Sequence, residues 1–479
     1  HRESDFIDFD RDRLRFHMIS NEGPKMAVGD INADGLDDLF LPGAKGQASS
    51  VYTQKPSGDF QIHQTFEADS IAEDVDGLFF DADGDGDLDL YVVSGSLEFS
   101  AFNMNYLDRL YLNNGQGNFT KTKESLPMVF QSSSFAKSFD HNGDGKMDLL
   151  IGTRTVPFAY GVPGDVTLLE NQGNAVFVDK TMEFAPELKN IGMTRDAWIG
   201  DLDGDGIAEI LIAGEWMPLK VFKKTNGKYN DASSAFGFEN TGGLWNTLHI
   251  ADVNGDGLPD ILAGNSGTNT RLHASPEKPL QLQINDFDQN GSIEQILTQY
   301  EGDSTYPLLL KPTLIKQLPV LRKQLLTYDA YKNKRLEDLF PQEILSRNMV
   351  LNVHTLETSL FINQGNGTFA KAILPYPIQS SPVYAIHSFK DDLGKIHLLF
   401  GGNQSRIKPE LGINMGSFGW HLTGSNEKDL HLIPANQSGF FVRGEIRDIK
   451  SIKTTKGIRI IVSRNNDVPV VWELAGSGK

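Results

Sequence analysis

The chain has 479 residues, no cysteine, 47 glycines and a formal net charge of −19. Disulfides, thiolate chemistry and cysteine-based metal sites are excluded, and an acidic balance argues against a nucleic-acid partner, which needs clustered Lys and Arg. At 39% hydrophobic the chain can bury a substantial core, yet no run of about eighteen apolar residues predicts a transmembrane helix.

A length of 479 exceeds one ordinary compact domain. Repeat architectures escape that prior, because each unit packs mainly on its neighbours. The opening His1-Arg2-Glu3-Ser4-Asp5 is no signal peptide, so the chain reads as a mature protein or as a piece of a longer one.

In chain order, one pattern recurs. A short apolar run leads into Asp-x-[Asp/Asn]-x-[Asp/Asn]-Gly-x-x-[Asp/Glu], and a second apolar run follows. Loop one offers Asp30, Asn32, Asp34, the Leu36 carbonyl and Asp38 at positions 1, 3, 5, 7 and 9. Loop two offers Asp81, Asp83, Asp85, Asp87 and Asp89, and loop three Asp140, Asn142, Asp144, Lys146 and Asp148. Loop four offers Asp201, Asp203, Asp205, Ile207 and Glu209, and loop five Asp252, Asn254, Asp256, Leu258 and Asp260. A weaker loop six runs Asp286, Asp288, Asn290, Ser292 and Glu294. The first five start 51, 59, 61 and 51 residues apart, the size of a four-stranded propeller blade. The runs after each loop, such as Leu90-Tyr91-Val92-Val93, are short and soon ended by Gly, as strands are.

Between the loops lies a second repeated element, Leu110 to Phe119, Leu168 to Asn174 and Leu360 to Phe369. Each reads as strand, Asn/Gly turn, strand, and predicts the outer hairpin of a blade. Inner strands without a metal loop are predicted at 384–389 and 444–449, each followed by another strand. Five plus two gives an all-β, seven-bladed β-propeller over residues 1–479. The ring is expected to close by Phe6-Ile7-Asp8-Phe9 completing the last blade beside Val468 to Trp472. Residues 307–347 break the rhythm with apolar residues at helical spacing (Leu314, Leu318, Leu321, Leu325, then Leu336, Leu339 and Phe340). They predict two short helices inserted in the fifth blade.

The loop chemistry points to Ca²⁺, a hard cation that takes six to eight oxygens. Five sites are expected, with loop six a sixth candidate. Gly at position 6 permits the turn that wraps an ion. An EF-hand would need a bidentate Glu at position 12, where this chain has Leu41, Val92, Ile151, Ile212, Ala263 and Leu297. The position-9 acid takes that place. Mg²⁺ prefers octahedral sites with retained waters, and zinc or copper would want His or Cys. Ions that bind only the folded state stabilise it, by about 2.7 kcal/mol at 100 times the dissociation constant.

The loops resemble the FG-GAP/VCBS repeats of integrin α-subunit propellers. The phrases Gly23 to Asp30, Ala213 to Pro218, Leu244 to Thr247, Gly264 to Thr270, Lys408 to Gly412 and Arg464 to Asp467 are similar to bacterial proteins of the ASPIC/UnbV group, related to cartilage acidic protein. The resemblance covers essentially the whole chain. It implies a secreted or surface-attached protein, such as a lipoprotein of a Bacteroidetes-type bacterium, forming part of a longer polypeptide, and it implies no established catalytic activity. Lys390, Lys395 and His397 stand where acids would bind metal in the sixth blade, so no Ca²⁺ is expected there.

No Gly-x-Ser-x-Gly elbow, His-Glu-x-x-His or phosphate loop is present. Arg195, Trp216, Trp245, Asn246, Arg464 and Asn465 are candidates for a ligand surface off the metal loops, since Trp and Arg are favoured at hot spots. The competing reading places Trp216 and Trp245 in the inter-blade core. The leading expectation is a non-enzymatic, calcium-stabilised module, extracellular or at the cell surface, that binds a protein partner and belongs to an outer-membrane nutrient-uptake assembly. The alternative is a glycan-binding protein or a calcium-dependent polysaccharide lyase, which would place an open Ca²⁺ beside a base.

Overall fold

The computed structural model describes residues 1–473. The chain is built from small antiparallel sheets, eight among the described residues, in a β-propeller-type arrangement. Sheet one comprises Ala27–Gly29, Asp38–Leu41, Ser50–Gln54 and Phe60–Thr65. Sheet two comprises Asp74–Phe80, Asp89–Ser94, Arg109–Leu112 and Thr120–Lys121. Sheet three comprises Ser132–Phe139, Asp148–Thr155, Val166–Asn171 and Phe177–Asp179. Sheet four comprises Met193–Gly200, Glu209–Met217, Lys220–Thr225 and Lys228–Asp231, with Gly243–Leu244 added beside the second strand. Each is a meander in chain order, so the predicted outer hairpins are the third and fourth strands.

Sheet five starts with Thr247–Ala251 and Asp260–Gly264, then resumes only at Ser359–Asn363 and Phe369–Ala372. The long interruption carries a sheet of its own, in the order Ser304–Pro307, Glu294–Glu301, Leu280–Asn285, Met349–Val353. The helical stretch expected at 307–347 is therefore only part of what interrupts sheet five. It holds the short α-helices Lys311–Gln317, Leu336–Leu339 and Gln342–Leu345, and the 3-10 turn Pro319–Arg322. Their apolar faces share one cluster with Phe287 of the loop between two strands of the inserted sheet, with Ile296 of that sheet and with Leu14, which gives the helical spacing its packing partner.

Sheet six (Val383–Lys390, Ile396–Gly402, Trp420–Gly424, His431–Ile433) and sheet seven (Glu445–Thr454, Gly457–Asn465, Val470–Glu473) contain the two inner strands expected at 384–389 and 444–449. First strands of consecutive sheets lie against one another from sheet one to sheet seven. Buried clusters fill the spaces between sheets; Leu90, Val92 and Tyr111 of sheet two pack on Ala27, Phe40 and Val51 of sheet one.

Sheet seven meets sheet one by a different route from the one expected. Residues 6–9 form no strand; Asp8–Arg11 is a helical turn. The buried Asp8 carboxylate accepts the Ile19 and Ser20 N–H groups and faces Arg15 at 3.2 Å, which folds this segment back on the residues that follow it instead. Met26 and Leu39 pack on Ile452 and Ile461. The Met26 N–H donates to Asp448, and the Asp37 N–H to the Lys453 carbonyl. No described helix is long and apolar enough to cross a membrane.

Candidate metal loops and the axial cavity

All six Asp-rich loops are turns between the first and second strands of a sheet. Register fixes them: Gly29 pairs with Asp38, Phe80 with Asp89, Phe139 with Asp148, Gly200 with Glu209, Ala251 with Asp260, and Asn285 with Glu294. The residue before position 1 thus pairs with position 9, and the loop bulges between them. Position 6 lies in the left-handed region every time, with φ from +82° at Gly206 to +92° at Gly86, which explains its invariance as Gly.

The acids fold the loop around themselves. Asp30 accepts the N–H groups of Asp34 and Gly35, Asn32 accepts Asp34, and Asp34 accepts Leu36. Loops three and six repeat most of this pattern from Asp140 and Asp286. The position-9 acid is fully buried and accepts the position-2 N–H in all six loops. In the four good Asp versions its other oxygen accepts an N–H from the third strand: Gln54, Asn113, Asn171 or Asn363. Burial, with neighbouring carboxylates adding, pushes Asp38, Asp89 and Asp260 up to about 6 and Glu294 up to about 7.

Oxygen-only donor sets suit a hard divalent cation. Carboxylate oxygens converge within 4.8 Å of one another at Asp81, Asp83 and Asp85, at Asp201, Asp203 and Glu209, and at Asp286, Asp288 and Glu294. Glu209 Oε1, Glu294 Oε1 and Asp288 Oδ1 are buried without a hydrogen-bond partner. Loop six, weaker by sequence, therefore has the donor geometry of a full member. Loop four is contested. Lys223, from the third strand of sheet four, contacts Asp203, reaches Asp205 at 2.8 Å and Glu209 at 3.5 Å. Its ammonium already stands where a bound cation would neutralise those acids. Lys146 bonds Asp144 at 2.6 Å and is about half exposed. In sheet six, Lys390 reaches back to Asp252 of loop five at 3.2 Å, and Asp391 pairs with His397.

The six residues proposed as a ligand surface do not share one. Trp245 is fully buried between sheets four and five, its indole N–H on the Thr241 carbonyl. Trp216 is buried with its N–H on the Tyr160 hydroxyl. Asn465 is buried against Asn21 and Glu445, and Arg464 caps a local turn through the Val468 carbonyl and Asp467. Only Arg195 and Asn246 open on a common space, an axial cavity also lined by Glu22, Lys25, Arg154, Tyr384 and Arg447. Glu22 enters it from the segment before sheet one, chelated by Arg154 through two 3.1 Å bonds and contacted by Arg195. Burial works against its ionisation, but Arg154 and Arg195 win and hold it at about 2. Arg195 and Arg447 both lie over the Tyr384 ring. No sequence motif marks these residues, since they come from six separate parts of the chain.

The FG-GAP-like repeat matches residues 30–92, 140–212 and 201–263, which contain loops one to five. The chain thus carries FG-GAP-like repeats. No curated protein matches the chain. Among solved structures, the Vibrio cholerae biofilm matrix protein Bap1 is similar at 11% identity and TM-score 0.41, covering 100% of this chain and 90% of that one. Saccharomyces cerevisiae Sqt1 is similar at 10% identity and TM-score 0.43, covering 97% and 98%. BBS1N, in its complex with ARL6DN, is similar at 10% identity and TM-score 0.45, covering 96% and 95%.

Proposed function

We propose that this FG-GAP-like repeat protein is a closed seven-bladed propeller held by Ca²⁺, acting without catalysis as an interaction module outside the cytoplasm. The observation that carries the reading is the recurrence of one loop, six times, with a buried position-9 acid at its base. Unneutralised carboxylates packed this closely repel, and a divalent ion converts that repulsion into a crosslink between two strands of one blade. Loops one, two, three and five take Ca²⁺ through positions 1, 3, 5, 7 and 9. Loop six does so through Asp286, Asp288, Asn290, the Ser292 carbonyl and Glu294. Loop four binds more weakly because Lys223 competes. Sites of this kind suit a calcium-rich compartment, which supports an extracellular or cell-surface location and, by resemblance, an ASPIC/UnbV-type lipoprotein of a Bacteroidetes-type bacterium.

A protein partner is the ligand best supported. Phe418 and Phe441 stack on each other at 5.0 Å while each stays about half exposed, and Ile413 nearby in sequence is exposed too. Exposed aromatic pairs of this kind favour a protein surface. The test is affinity capture from an outer-membrane extract with Ca²⁺ and with chelator, using the parent protein and Phe418→Ala/Phe441→Ala. One specific protein, retained only with Ca²⁺ and lost with the double variant, is the expected result. Retention indifferent to both changes contradicts it.

A further inference from the structure

Away from the Asp-rich loops, three ligand-type side chains converge where residues 1–3 cross sheets one and two. His1, Glu3 and Glu73 each place one donor atom within 4.8 Å of the others. Glu73 immediately precedes the first strand of sheet two, and the His1 ring bonds Pro42, just after the second strand of sheet one. Backbone bonds fix the segment: the Arg2 N–H donates to Gln47 Oε1 at 2.8 Å, and the Glu3 N–H to Asn466 Oδ1 at 2.9 Å. The Glu3 side chain is wholly buried, and its Oε2 has no hydrogen-bond partner. A buried carboxylate oxygen left bare is costly unless a cation or donor meets it.

The histidine is oriented for the same role. His1 Nδ1 lies 2.9 Å from the Pro42 carbonyl oxygen, which can only accept, so Nδ1 carries the proton. In the neutral ring Nε2 then turns its lone pair toward Glu3 Oε1, 3.1 Å away, and two acceptors in contact need a cation between them. A metal-ligating His almost always donates its other ring N–H in this way. The local charge is also unbalanced. Lys45 pairs with Glu98 at 2.7 Å, and Arg109 pairs with Asp74. Among the described residues no Lys or Arg pairs with Glu3 or Glu73; Glu73 accepts the Lys45 backbone N–H at 2.7 Å. Burial and the neighbouring carboxylates push Glu73 well above the ordinary carboxyl range. His17, Glu22 and Glu215 also converge, but Arg154 and Arg195 already neutralise that group.

We propose that His1, Glu3 and Glu73 bind one Zn²⁺ ion, which latches the N-terminal segment onto sheets one and two. One imidazole with two carboxylates is a zinc donor set, whereas Ca²⁺ takes oxygen ligands alone. The site therefore differs in chemistry from the Asp-rich loops, and it stands independently of their occupancy and of the protein partner. The test is calorimetric titration of the Ca²⁺-saturated protein with Zn²⁺, with thermal melts of the same samples. A Zn²⁺ ion is expected to bind in the presence of excess Ca²⁺ and to raise the melting temperature. His1→Gln, Glu3→Gln and Glu73→Gln should each weaken that binding at least about tenfold, the loss seen when even an outer partner of a metal ligand is removed. His1 is half-buried, so His1→Gln retains the fold and keeps the test sound if a buried variant does not. His421→Gln alters the other close imidazole pair, His397 and His421 at 2.8 Å, and should leave the affinity unchanged. The inference is overturned if no Zn²⁺ binds above excess Ca²⁺, if the three Gln variants bind like the parent, or if binding is lost in His421→Gln instead.

Discussion

Asn113 Nδ2 donates to the Ile31 carbonyl at 2.8 Å and to the Leu88 carbonyl at 3.1 Å. Ile31 is position 2 of loop one and Leu88 position 8 of loop two, so one amide clamps the candidate metal loops of adjacent sheets. Asn171 does the same for Ala82 and Met147, and Asn363 for Leu202 and Pro259. In sheet four Lys224 reaches the His141 carbonyl instead. At the junction of sheets seven and one, Gln54 joins the Asp37 and Lys453 carbonyls at 2.8 and 3.0 Å. The repeat therefore propagates through its loops as well as its core.

Removing one clamp leaves two inward-facing carbonyls without their donor. Asn113→Ala and Asn171→Ala are each expected to lower stability by about 1–3 kcal/mol. Asn230→Ala, on an exposed hairpin, should change it little. Denaturant midpoints of the three variants check this.

The position-9 acids make the ion-free protein sensitive to pH. Their folded values of about 6 to 7 exceed the roughly 4 of an unfolded carboxyl. The folded state therefore holds extra protons. The stability these groups contribute is present below about pH 4 and is lost as pH rises through about 6 to 7. A bound cation must expel the same protons, so the gain in melting temperature from Ca²⁺ should be larger at pH 7.5 than at pH 5. Equal gains at both values would contradict the assignment of these acids as ligands.

Lys223 tests whether a side chain substitutes for an ion. Lys223→Met leaves Asp203, Asp205 and Glu209 without that ammonium. Calorimetric titration should then show loop four binding Ca²⁺ at least about tenfold more tightly, the effect of removing one competing charge worth about 1.4 kcal/mol.

Close approach between sheets has its own test. A Cβ at Gly77 would lie 2.4 Å from Phe40 Cδ1 across the sheet one–sheet two interface. Gly77→Ala should cost about 1–3 kcal/mol by overpacking, measured as a lowered melting temperature.

The loops, the outer hairpins and the metal-free inner strands were legible because each is local and repeated. The inserted sheet was not. Loop six carries the same motif as the others, and only the return of sheet five at Ser359, far along the chain, reveals that it belongs to a separate sheet. The N-terminal segment misled for a related reason. The apolar-rich Phe6, Ile7, Asp8 and Phe9 look like a strand, but the buried bonds of Asp8 to Ile19 and Ser20 decide its path. Trp216 and Trp245 can be read as hot spots or, more readily, as core, and their burial decides for core. The occupation of loop four by Lys223 depends on a hairpin twenty residues downstream of Asp203, a distance no spacing rule covers.

The most direct test of the calcium assignment is to count bound Ca²⁺ per chain after dialysis and to melt the same sample with and without chelator. The account predicts at least five ions per chain, with a melting temperature that falls markedly when they are removed. A chain that retains no Ca²⁺ and melts identically in chelator would contradict it.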